Sequence, residues 1–223
     1  MLALAPAASE GRPGDVPALA ELGGTCLVGR LLATLSEVGL PAPLVVTTEA
    51  AVPRMRRALG RGAEVRASQG GRAQAIIAAL AELDGTSVLI LDAERALTPA
   101  SVISEVLAAA GDDVDAVVPV IPMTDSVKLV THDVLRNVDR STLAGMQSPR
   151  LLRRTVLENA VRSAVDDDQD EILAVLARGA RVRTVPGSHA GFAVVDRLGL
   201  WQAQIALGLA RDTSHRHGLS RRG

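Results

Sequence analysis

The residues best suited to chemistry sit together in Val88-Leu89-Ile90-Leu91-Asp92-Ala93-Glu94-Arg95. Four branched aliphatic side chains in a row fit a strand buried on both faces, and Asp92 stands where that strand must end. Open parallel sheets gather ligands at the carboxyl ends of their strands. A carboxylate there can hold a hard divalent cation against phosphate oxygens; it can also do no more than cap the next turn. Other charged groups invite simpler readings. Asp166-Asp167-Asp168 with Asp170-Glu171 lacks the alternating ligands and the glycine of a helix-loop-helix calcium site, and fits a solvated loop entering a helix, where acids are favourable. His215 and His217 fall in a polar tail. His132 and His189 fall in expected loops without partners and take no role. Arg54, Arg56, Arg57 and Arg61 follow Pro53 on one helix, and a solvated face explains them better than a phosphate site.

Composition narrows the class. The chain has 223 residues, 48% of them hydrophobic and 22% charged, which is enough for one well-filled core. A net charge of −1 gives no general attraction to nucleic acid. The absence of Tyr, with one Phe and one Trp, removes base-stacking platforms. Cys26 is the only cysteine, so an internal disulfide and a multi-thiolate zinc site are both excluded. Residues 1–8 lack the basic start and the long apolar run of a secretory signal. No apolar stretch approaches the ~20 residues of a membrane span. The expected compartment is the cytoplasm.

The frame that must position Asp92 is written as alternating strand and helix patterns. Strands are expected at 2–6, 44–47, 63–67, 88–91, 116–121 and 181–185. Helices are expected at 25–38, 50–59, 72–83, 99–110, 149–164, 170–178 and 199–210. This rhythm predicts an α/β fold, Rossmann-like, with a mostly parallel three-layer sheet. It breaks at 126–130 and 134–138, two half-polar strands joined by Thr131-His132-Asp133. They predict a projecting β-arm, too small to be stable alone, for which a dimer partner is the economical support. One domain over 1–210, with an arm at about 122–147, is followed by a loose basic tail at 211–223.

In order along the chain, Pro6-Ala7-Ala8, Leu91-Asp92-Ala93-Glu94-Arg95, Val118-Pro119-Val120-Ile121-Pro122, Thr124-Asp125-Ser126-Val127-Lys128, Val138-Asp139-Arg140, Gln147-Ser148-Pro149 and Asp170-Glu171 form a series. It resembles the motifs of the 2-C-methyl-D-erythritol 4-phosphate cytidylyltransferase family: a P-A-A-G-x-G-x-R loop, H-D-A-A-R, P-V-x-D-T-x-K, V-D-R, Q-T-P and T-D-D/E. The resemblance runs from Leu2 to about Leu207. It implies a nucleotidyltransferase fold and a homodimer with exchanged β-arms. It also implies transfer of CMP from CTP to a phosphorylated sugar alcohol, with release of pyrophosphate, in isoprenoid biosynthesis. By the same resemblance, Asp92 binds Mg²⁺, and Ser126 and Arg140 of a partner's arm hold the substrate phosphate. Ala7, Ala8, Gly11, Arg12 and Ala93 lie against the nucleotide, and Arg72 stands near the cytidine.

The departures point the other way. The shortened loop Ser9-Glu10-Gly11-Arg12-Pro13-Gly14 puts Pro13 at the family's arginine, with Arg12 as the nearest substitute. Ala18 and Ala193 stand where the family has lysines, and Ala75 replaces a small hydroxyl residue. Nucleotidyl transfer depends chiefly on placed positive charge. Impaired catalysis is therefore expected. The alternatives are a non-catalytic dimeric binding or regulatory relative, and a nucleotidyltransferase with a different acceptor.

Overall fold

The computed structural model describes residues 1–6, 15–132, 134–163 and 168–209. In chain order, β1 (Leu2–Ala5) leads to a short hairpin of β2 (Glu21–Leu22) and β3 (Thr25–Cys26), then α1 (Leu27–Glu37), β4 (Leu44–Thr48) and α2 (Val52–Leu59). There follow β5 (Val65–Ser68), α3 (Arg72–Leu80), β6 (Ser87–Asp92), α4 (Ala100–Ala108) and β7 (Ala116–Pro122). The arm is β8 (Val127–Thr131) with β9 (Val134–Val138). The chain returns through β10 (Ala144–Met146) and β11 (Arg150–Arg153) to α5 (Arg154–Arg162), α6 (Glu171–Leu176), β12 (Val182–Pro186) and α7 (Arg197–Ala206).

Strands β1, β4, β5 and β6 pair in parallel in the order β6-β1-β4-β5, and β12 pairs in parallel with β7. Side-chain alternation explains why helices cover both faces. Leu2, Leu4, Val88 and Ile90 point into one core with Ile76, Leu157 and Ile172, whereas Ala3, Ala5, Leu89 and Leu91 point into the other with Leu31, Met55 and Ile103. The expected mostly parallel α/β architecture is present. Its parallel strands all bring their carboxyl ends to one rim, and Asp92 is the last residue of β6.

One expectation fails. Residues 149–164 do not form one helix: β11 runs antiparallel between β6 and β7, and α5 begins only at Arg154. Pro149 and the apolar spacing behind it fit a helix locally, but the gap between β6 and β7 is filled by pairing Leu151 with Leu89 and Val117. Long-range pairing overrides local preference here. Strand β10 also pairs with β7, so the chain leaving the arm re-enters the main sheet in two pieces. The peptide between them, Ser148–Pro149, is cis. The β2–β3 hairpin was not expected either. Its Gly23 and Gly24 have φ of 61° and 79°, values that suit the mirror-image turn favoured in two-residue hairpins.

The arm stands as expected, with Val127 opposite Val138 and Thr131 opposite Val134. Leu129, Val130, Val134 and Leu135 are all more than half exposed on it. The basic tail expected at 211–223 lies outside the described residues.

Candidate active site

Four elements bring charged side chains to the end of β6. Asp92 is held by its backbone: its amide donates to Ser148 Oγ at 2.9 Å, and the next amide, of Ala93, donates to the Leu4 carbonyl at 2.8 Å. Arg72 opens α3 after the Gly70-Gly71 bend. Arg150 opens β11 directly after Pro149, its position fixed opposite Ile90. Glu171 opens α6, whose Asp170 caps the helix by accepting from the amides of Ile172 and Leu173.

These side chains form a closed ionic cluster. Arg72 donates from Nη1 to Asp92 Oδ1 at 2.9 Å, and from Nε and Nη2 to the two Glu171 oxygens at 2.5 and 2.9 Å. Arg150 Nη1 reaches Glu171 Oε1 at 2.8 Å and Asp170 Oδ2 at 2.9 Å, while its Nε donates to the Gln147 carbonyl at 3.2 Å. The second oxygen of Asp92 faces Arg95 Nε at 3.6 Å and Arg150 Nη2 at 3.7 Å. The Glu171 side chain is 0% exposed and that of Arg150 7%. Arg72, Arg95 and Arg150 thus answer Asp92, Asp170 and Glu171 charge for charge.

Proton affinities follow from this packing. Burial alone would raise the Glu171 carboxyl, but hydrogen bonds and charge from Arg72 and Arg150 reverse that and push it down to about 2. Burial likewise disfavours the Arg72 and Arg150 cations. Glu171 and Asp92 outweigh burial in both, and hold both above their ordinary value. Arg95 differs: burial lowers it, and Asp92 restores only part. Its Nη1 donates to the Gly191 carbonyl at 2.7 Å, its buried Nε has no hydrogen-bond partner, and no described residue hydrogen-bonds its Nη2. Arg150 Nη2 is in the same state, with no hydrogen bond among the described residues and only the 3.7 Å approach to Asp92.

Beside the cluster lies a cavity of about 420 Å³ at the ends of β1, β4 and β5, lined by Ala5, Pro6, Thr48, Ser68, Gly71 and Arg72, among others. A larger cleft, about 620 Å³, opens at the opposite ends of β6 and β7. Its Arg153 and Arg154 are already bonded to backbone carbonyls.

The residues singled out by sequence are therefore dispersed. Asp92 and Arg72 meet directly. Ala93 is fully buried and its amide is engaged, which leaves it no surface to offer a nucleotide. Ser126 and Arg140 sit exposed at the arm, where Arg140 Nη1 donates to the Thr124 carbonyl. No hydrogen bond or ion pair among the described residues joins them to the cluster. Ala7, Ala8, Gly11 and Arg12 lie outside the described residues. At the two missing lysines, Ala18 is 1% exposed within a core cluster, while Ala193 is half-buried. The Ala193 segment is docked on the Asp92 turn by Val194, whose amide donates to the Glu94 carbonyl at 2.9 Å.

Sequence reasoning missed Arg150 altogether, and placed Ser148, Arg95 and Glu171 only within motifs. Ser148 has a measurable share. Changing Ser148→Ala leaves the buried Asp92 amide without its acceptor, and urea unfolding should show a loss of about 1–3 kcal/mol.

The magnesium ion implied by the sequence resemblance fits this arrangement poorly. Both Asp92 oxygens already face guanidinium groups within 3.7 Å. No described helix is long and apolar enough to cross a membrane.

Comparison with known proteins bears on the whole chain. The family model for 2-C-methyl-D-erythritol 4-phosphate cytidylyltransferase, IspD, matches residues 1–209. The enzyme of that name from Saccharopolyspora erythraea is 34% identical over 221 residues, covering 93% of this chain and 99% of the relative. A bifunctional enzyme IspD/IspF from Clavibacter michiganensis is also 34% identical, over 86% of this chain, and the match spans only half of that longer protein. Among solved structures, 2-C-methyl-D-erythritol 4-phosphate cytidylyltransferase from Thermus thermophilus superposes with a TM-score of 0.76 at 23% identity, covering 92% of this chain and 97% of that one. That likeness bears on the fold.

Proposed function

This chain belongs to the 2-C-methyl-D-erythritol 4-phosphate cytidylyltransferase family of isoprenoid biosynthesis, and we propose that it transfers CMP from CTP to methylerythritol phosphate at a reduced rate. The observation that carries this reading is the group of three arginines around Asp92, at the strand ends beside a cavity of nucleotide size. A phosphate oxygen of the acceptor attacks the CTP α-phosphorus in line, and the bond to the β-phosphate oxygen breaks to release pyrophosphate. Negative charge builds on the leaving oxygens and on the oxygens of the transferred group. Arg95, whose Nη2 has no hydrogen bond among the described residues, is suited to receive that charge. Arg72 lines the cavity while held by Glu171, so it is oriented before ligand arrives.

The reduced rate follows from Ala18 and Ala193. Each missing preorganised cation costs about 2.7–4 kcal/mol at the transition state, roughly 10²–10³ in rate, and such losses do not simply add. The arm pairs with a second copy of the chain in this reading. The support is its four exposed apolar residues, which a lone hairpin leaves in water.

Release of pyrophosphate from CTP and methylerythritol phosphate tests the proposal. The parent is expected to turn over slowly, and Arg72→Ala about 10²-fold more slowly still. Absence of both CTP binding and pyrophosphate release in the folded parent would leave only the non-catalytic reading.

A further inference from the structure

We infer that Arg150 occupies the role of a divalent cation at Asp92. It is a positioning residue that keeps this carboxylate neutralised from within, so the chain binds nucleotide phosphates through guanidinium groups and gains little from Mg²⁺. The inference rests on the CTP reading for its ligand, but its metal side stands on geometry alone.

The anchoring of Arg150 is the main ground. It lies in β11 between two strands, pairs opposite Ile90, and is pinned at Nε by Gln147 and at Nη1 by both Asp170 and Glu171. Its Nη2 is thereby aimed at Asp92 Oδ2, 3.7 Å away. A side chain tied at so many points cannot swing aside for an incoming ion. Nor can it lose its charge, because a guanidinium stays protonated in proteins.

The second ground is the state of Asp92. A magnesium ion binds carboxylate oxygen at about 2.0–2.1 Å and demands near-octahedral room. Arg72 already occupies one oxygen at 2.9 Å, and two further guanidinium nitrogens lie within 3.7 Å of the other. An ion seated there would meet three like charges at close range, where repulsion is several times stronger than in water. Triphosphate oxygens, in contrast, meet a cluster whose cations are preset and whose Arg95 Nη2 has no hydrogen bond among the described residues.

Two titrations decide the matter on the full chain. The first follows free Mn²⁺ by its electron paramagnetic signal, without nucleotide, for the parent, Arg150→Gln and Arg150→Lys. The parent and Arg150→Lys should leave the signal intact at millimolar metal, and Arg150→Gln should bind Mn²⁺ about tenfold or more tighter. The second is calorimetry with CTP in Mg²⁺ and in EDTA. The parent affinity should agree within about threefold between the two buffers, and Arg150→Gln should come to prefer Mg²⁺ by about tenfold or more. Tight Mn²⁺ binding by the parent, or a tenfold gain from Mg²⁺ in the parent, overturns the inference, and neither reading depends on a variant folding. If no form binds CTP, the proposed function fails while the Mn²⁺ series still decides the role of Arg150.

Discussion

Glu171→Gln should lower the free energy of unfolding by about 3–5 kcal/mol, measured by urea denaturation at neutral pH. The side chain is 0% exposed and, among the described residues, is the only carboxylate that hydrogen-bonds Arg72 and Arg150 at once. An uncharged amide in its place leaves two buried cations short of one negative charge, which costs far more than the pair itself contributes. The pH dependence gives a second signature. The folded carboxyl sits at about 2, below its ordinary 4.5. Its stabilising share is therefore complete above the unfolded value and fades as pH falls from about 4.5 toward 2. The parent should lose stability across that window more steeply than the glutamine variant. Equal acid slopes would show that Glu171 is not the group that ties the cluster together.

A comparable effect is expected in activity, in the upward direction. Ala193→Lys should raise the rate of pyrophosphate release from CTP and methylerythritol phosphate by roughly 10²-fold, the contribution of one placed cation. Position 193 is favourable because its neighbour Val194 is tied to Glu94 and nearby Gly191 is tied to Arg95, so the new ammonium starts beside the Asp92 cluster. The half-buried alanine leaves an outlet for a longer side chain. Ala18→Lys differs. At 1% exposure within a core cluster, it must overpack before it can reach a phosphate, with a cost of about 1–3 kcal/mol. Calorimetry with CTP should therefore show most of the gain from position 193, and a thermal melt should show most of the loss from position 18. A parent already as fast as Ala193→Lys would remove the argument for a weakened site.

Much of this was written locally. The aliphatic run before Asp92 announces a buried parallel strand, and the amphipathic spacing of α1, α3 and α4 announces the layers that cover it. The place of Asp92 at a strand end needed no partner to be seen. Arg150 is different. Beside two leucines and another arginine it looks like surface charge, and only the approach of Glu171, distant in sequence, accounts for a cation buried in a sheet. Strand β11 escaped notice for the same reason, since its hydrogen-bond partners are β6 and β7 rather than its own neighbours. The β2–β3 hairpin could have been found from Gly23-Gly24, a dipeptide suited to tight turns. The family motifs located Glu171 without disclosing what it grips.

The chain that descends from the arm runs through β10, crosses Gln147-Ser148-Pro149, and becomes β11. Along that short path it touches Ser188 and Gly191 through Gln147, the Asp92 amide through Ser148, and the acidic pair through Arg150. Hairpin and candidate site accordingly lie at the two ends of one short segment. Within that segment β10 is held by β7 alone, whereas β11 is held by both β6 and β7, so the grip on the chain tightens as it approaches Asp92.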